Sequence, residues 1–169
     1  MANPVYEFDP VTHITAGALG MPGERTFYIQ AERGLDRLTL LCEKEQVQAL
    51  VEAIDEMADK LEEEFKLARV PDLVVDEVKM TVKEPAEPLF RIGAMALGYD
   101  ANRDRVLLVA QEALAEEEER DPQEVRFFAT RAQMQALSTY AKEVVERGRS
   151  PEQRVLQAEA HVRRNGHGE

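Results

Sequence analysis

Leu40-Leu41-Cys42-Glu43-Lys44-Glu45-Gln46-Val47-Gln48-Ala49-Leu50 and Phe127-Phe128-Ala129-Thr130-Arg131-Ala132-Gln133-Met134-Gln135-Ala136-Leu137 describe the same event twice. In each, a short apolar run stops at a polar residue, and a pattern of helical period begins. Gln46, Gln48, Ala49 and Leu50 are repeated identically by Gln133, Gln135, Ala136 and Leu137 at a constant offset of 87 (133 − 46). Lys44 and Arg131 keep a positive charge, and Val47 and Met134 keep an apolar position. Glu43 and Thr130 fall where a helix N-cap is expected.

Downstream of the first junction, Val47, Leu50, Val51, Ile54, Met57, Ala58, Leu61 and Phe65 recur at helical spacing over residues 44–66, with acids on the opposite side. Residues 131–147 repeat the pattern with Met134, Leu137, Tyr140, Ala141, Val144 and Val145. Upstream of each junction the period falls to two. Residues 25–31 alternate Phe27, Ile29 and Ala31 with Thr26, Tyr28 and Gln30, as a half-buried strand does. Residues 6–8, 14–19, 35–42, 73–82, 89–97, 106–114 and 124–130 also read as strands. Turns fall at Met21-Pro22-Gly23-Glu24, Arg33-Gly34 and Tyr99-Asp100-Ala101-Asn102.

The expectation is an α+β fold of two tandem strands-then-helix repeats, about 5–68 and 73–148. Antiparallel sheets would lie under two long helices related by a pseudo-twofold axis. A unit of three or four strands and one helix hides its apolar face poorly alone, so the repeats form one domain over residues 1–149. Residues 150–169 add a C-terminal helix with a weak apolar face (Val155, Leu156, Val162) and a tail.

The 169 residues are 44% hydrophobic and 32% charged, a globular composition with length enough for a sizeable core. No apolar run reaches the roughly 18 residues of a membrane span, and the first residues lack a secretory pattern. A lone cysteine, Cys42, allows no internal disulfide and suits the cytoplasm. The formal net charge of −12 disfavours generic binding to phosphate backbones. The acids gather along the first helix and in Glu116-Glu117-Glu118-Glu119, which read as a solvated face and a solvated loop.

No residue set reads as catalytic. His13, His161 and His167 are not spaced as metal ligands, so neither a metal nor another cofactor is expected. The glycines of residues 17–23 join strand to strand, whereas a phosphate cradle leads into a helix. What remains are binding candidates. Arg25, Tyr28, Gln30 and Arg105 would be the polar and aromatic inventory of an exposed sheet face, a mixture suited to single-stranded nucleic acid. Lys44 and Arg131 would flank an anion site at the pseudo-twofold axis.

Tyr6-Glu7-Phe8-Asp9-Pro10, the run from Ala16 through Pro22-Gly23-Glu24-Arg25 to Ala31, Glu43-Lys44-Glu45-Gln46-Val47 and Phe90-Arg91-Ile92-Gly93-Ala94-Met95-Ala96-Leu97 together resemble a bacterial family known as a conserved domain of unknown function. The likeness spans nearly the whole chain. Other members of that family tend to end in a Cys-rich knuckle able to bind zinc. Here Arg163-Arg164-Asn165-Gly166 keeps the family's ending, but no cysteine follows Cys42, so the resemblance implies no zinc site in this chain. The order of elements is also similar in layout to the Whirly and Pur families of single-stranded nucleic-acid binders. The leading expectation is a non-catalytic module that binds another macromolecule, most plausibly a protein. The alternatives are nucleic-acid binding through the sheet and an enzyme with its site at the axis.

Overall fold

A computed structural model describes residues 5–71 and 73–147. Seven strands form: β1 (Val5–Phe8), β2 (His13–Leu19), β3 (Thr26–Arg33), β4 (Asp36–Cys42), β5 (Phe90–Asp100), β6 (Arg105–Glu112) and β7 (Glu124–Ala129). The helices are α1 (Lys44–Phe65), α2 (Glu77–Met80) and α3 (Arg131–Arg147). The expected final helix lies outside the described residues.

Residues 73–82 are the one place where a strand was expected and none forms. The Asp76 carboxylate accepts the main-chain N–H groups of Val78 and Lys79 and nucleates the single turn of α2. Val74 and Val78, whose spacing suggested a strand, face solvent.

Two antiparallel sheets were expected, and one mixed sheet is found. Its order is β1-β7-β6-β5-β4-β3-β2. Two antiparallel meanders, β2-β3-β4 and β5-β6-β7, are joined by parallel pairing of β4 with β5, and β1 pairs parallel with β7. β1 and β2 stand at opposite ends of this order, yet only residues 9–12 separate them. Seven strands laid flat would put those ends about 29 Å apart. The chain from Phe8 to His13 can reach at most about 18 Å. The sheet must therefore curl, and neighbouring amides bind its two ends together. The Val11 N–H donates to the Phe128 carbonyl of β7 (2.8 Å), and the Thr12 N–H donates to the Glu32 carbonyl of β3 (2.7 Å).

The junction glutamines sit at the two seams of the curled sheet. The Gln133 side chain accepts the Thr130 N–H (2.8 Å) and donates to the Val11 carbonyl (3.3 Å). The Gln46 side chain accepts the Glu43 N–H (2.8 Å) and donates to the Ile92 carbonyl (3.0 Å). Each therefore satisfies an orphan amide at a helix start and ties that helix across the seam, Gln46 to β5 and Gln133 to the connection between β1 and β2. The registers agree, since Phe8 lies beside Phe127 and Phe90 beside Leu40.

The inner face of the curl carries Ile14, Ile29, Leu40, Leu108 and Phe127, closed by Val47, Leu50, Met134 and Leu137 from α1 and α3. The two helices pack on each other, and α3 also lies close along β2. Gly17 permits that approach, because a Cβ there would sit 3.2 Å from the Val82 side chain and 3.3 Å from the Tyr140 ring. The outer face of β2-β3-β4 is covered as well. Thr15 donates to the Met80 carbonyl (2.6 Å), and Gln30 exchanges hydrogen bonds with the main chain of Lys83.

If the seams hold the fold together, Gln133→Ala lowers unfolding free energy by about 1–2 kcal/mol, with a comparable loss for Gln46→Ala. Urea unfolding checks this, and the slope should be unchanged while the midpoint falls.

Candidate interaction surface

The structure separates the six candidate binding residues and commits most of them to internal partners. The Arg25 guanidinium donates to the Val144 carbonyl at 2.6 Å and lies 4.9 Å from the centroid of the Phe27 ring. It thereby satisfies a carbonyl in the last turn of α3, where a cation is favourable. Gln30 is fully buried and bonds Thr39 as well as Lys83. Tyr28 is half-buried on the same covered face, opposite Gly17 and Leu41. The expected exposed face of β3 is thus occupied by the chain's own residues around α2.

Arg105 turns its guanidinium onto the carbonyls of Arg103 and Asp104. Arg131 grips both carboxylate oxygens of Asp104 (2.7 and 3.1 Å) and the Ala68 carbonyl (3.2 Å). Lys44 stands half-buried in the first turn of α1, while Arg131, opening α3, is engaged by Asp104.

Asp104 is also bonded by the Tyr99 hydroxyl at 2.7 Å. The Arg131 hydrogen bonds, helped by Tyr99, hold the Asp104 carboxyl below the usual range, while burial and the same carboxylate push the Tyr99 phenol up. This network offsets the unfavourable cation at the head of α3. Beside it lies a cleft lined by Ile54, Met57, Leu61, Val106 and Met134, with Arg131 and Arg69 at its rim. Arg69 is itself held by Asp59 and the Asp55 carbonyl. With the polar side chains of the network paired in this way, the cleft is a packing crevice between α1 and α3.

Among the described residues, Cys42 and His13 are the side chains still to be placed. Cys42 is buried, and burial beside Glu43 pushes its thiol up to about 12, so it is protonated at neutral pH. His13 has a buried Nε2 with no partner. Burial lowers its pKa, against Glu32 and a hydrogen bond with the Lys79 main chain; Lys83 and Lys79 lower it further. Among the described residues, no group of three or more His, Cys, Asp or Glu could hold a metal ion, and no helix is long and apolar enough to cross a membrane.

What sequence reading missed lies on β5. This strand pairs with β4 only through Phe90 and Arg91, because β4 ends at Cys42 and the chain turns into α1. From Gly93 to Tyr99 the edge facing away from β6 meets no strand, and no hydrogen bond reaches it among the described residues. Ala94 and Ala96 are exposed there, with Met95 and Leu97 half-buried on the inner side. Next to this edge the outer face of β6 and β7 presents Leu107, Val109 and Phe128, with the Arg103 guanidinium 5.0 Å from the centroid of the Phe128 ring. The signal in the sequence was an eleven-residue strand with no proline and no lysine.

The fold and this surface define a curled mixed-sheet α+β protein in which the β5 edge from Gly93 to Tyr99 meets no strand among the described residues. The chain belongs to the family described as protein of unknown function (DUF3090), whose model matches residues 6–162. No curated protein and no solved structure matches it.

The lowered His13 pKa makes the fold more stable when this ring is neutral. Its contribution is present above the ordinary value of 6.5 and is lost as pH falls through the lower folded-state value. Between about pH 7.5 and about pH 5.5, urea midpoints should drop more for the wild type than for His13→Gln. Cys42 should resist thiol reagents in the native state at neutral pH and react fully once the chain is unfolded in urea, as a timed absorbance assay would show.

Proposed function

We propose that the protein is a non-catalytic, cytoplasmic binding module that takes an extended segment of a partner protein along the free edge of β5. The observation that carries this reading is the unpaired edge from Gly93 to Tyr99. An edge strand offers a row of main-chain donors and acceptors to another strand, and proteins normally blunt such edges with charge, proline or a covering element. β2, at the end of the other meander, is covered by α3. Between its ends β5 carries neither charge nor proline, and α1 touches it at Ile92 through Gln46 and at Tyr99 through Phe65 (ring centroids 5.9 Å). The apolar outer face beside it, with Leu107 and Val109, would give the added segment side-chain contacts.

A protein partner suits this surface better than nucleic acid. Arg25, Arg105 and Arg131 direct their guanidinium groups to internal carbonyls or to Asp104, and Arg126 pairs with Glu124 on the outer face. Among the described residues most cations are thus engaged within the chain and are not set out to release counterions from a phosphate backbone. The two meanders would descend from one duplicated strands-then-helix segment about a pseudo-twofold axis. The matching roles of Gln46 and Gln133 support that history.

Placing a photo-crosslinking amino acid at Ala96, with Glu56 on the exposed side of α1 as control, tests the reading in native extract. Adducts specific to position 96, and competed by unlabelled protein, are expected. Equal labelling from both positions, or none from either, would remove the edge as a binding site.

A further inference from the structure

Building on the edge-binding reading above, we propose that the strand which pairs with β5 is β5 of a second copy, in antiparallel register about a twofold axis at Ala96. The residue order of the strand is complementary to itself in that direction. With Ala96 opposite Ala96 of the second copy, Ala94 faces Gly98, and Met95 faces Leu97 on the inner side. Only small side chains meet on the outer side and only apolar ones on the inner side, so no like charges are brought opposite each other.

The strand ends are complementary too. Arg91 begins the exposed stretch and Asp100 closes it. Antiparallel pairing about Ala96 places the second copy's Asp100 opposite Ile92, and the bulge in β5 between Ile92 and Ala94 brings Arg91 onto the same exposed side as Ala94, within reach of that carboxylate for a long side chain. A parallel arrangement would instead place Arg91 beside Arg91. Arg91 is well exposed and held on its own chain only by a 3.4 Å ion pair to the equally exposed Glu43, so it is free to turn. Ala94, Ala96 and Gly98 oppose the second backbone with small side chains only, and a Cβ at Gly98 would meet nothing within 4 Å. Pairing would continue the sheet of one copy into the other and satisfy the β5 edge of each.

Sedimentation equilibrium of the full chain checks this. The expected result is a concentration-dependent species of twice the 19.1 kDa chain mass. Ala96→Lys puts two ammonium groups across the axis from solvent-facing positions, and should weaken self-association by about tenfold or more while leaving the circular-dichroism spectrum unchanged. Ala96→Cys should form a disulfide across the axis under mild oxidation, because facing positions in antiparallel strands bring the Cβ atoms to about 4.5–5.5 Å. Val109→Cys, one strand away, should not. A chain that stays monomeric at all concentrations, or a dimer that ignores Ala96→Lys and leaves Ala96→Cys reduced, overturns the second copy as occupant. Position-96 adducts to a different protein would then leave the binding reading standing, and their absence would end both.

Discussion

Two consecutive amides carry the architecture. Val11 donates to β7 and Thr12 to β3, so two successive peptide units are fastened to the strands next to the two ends of a seven-strand sheet. Strands spaced about 4.8 Å apart cannot meet that condition while flat, so the whole sheet must curl around a single core. The curl places Ile14, Leu40, Leu108 and Phe127 on one concave side, and α1 and α3 close it. The two meanders therefore share one interior, and neither could bury its apolar face without the other.

Closure also decides where function can reside. Each seam hands a strand from a parallel neighbour to an antiparallel one, and a helix leaves the sheet at that point. At the seam between β7 and β1, α3 follows closely along β2, admitted by Gly17, and the residues around α2 cover the outer face. At the seam between β4 and β5, α1 is tied to Ile92 by Gln46, and the longer strand β5 continues beyond it without a strand partner on that side, meeting Phe65 of α1 at Tyr99. One fold thus contains a guarded edge and an open one. The charged groups elsewhere serve the scaffold. Arg120 fastens Glu112 and with it the acidic loop, holding that carboxyl down at about 2, and Lys142 ties Asp55 across the two helices.

Much of the local structure was legible in the sequence. The period change at Glu43 and Thr130 located both long helices, because an amphipathic stripe facing a core leaves a regular trace. The alternation at residues 25–31 located β3 for the same reason. Parallel pairing of β1 with β7 and of β4 with β5 left no trace, since a strand's alternation records which face is buried and not which neighbour it has. Gln30 looked like a surface residue because a buried amide bonded to Thr39 and Lys83 is spelled like an exposed one. Val74 and Val78 looked like a strand until an Asp76 cap turned the chain. The matching glutamines were visible as letters, while their shared task at the seams needed coordinates.

Residue-resolved amide hydrogen exchange in dilute solution bears most directly on the idea that closure protects the β2 end of the sheet and leaves the edge of β5 open. Val11, Thr12 and the amides of β2 should exchange slowly, while every second amide from Gly93 to Tyr99 should exchange as fast as a surface turn. Equal protection of β5 and β2 at concentrations where the chain is monomeric would contradict it, because the β5 edge would then be covered within the chain itself.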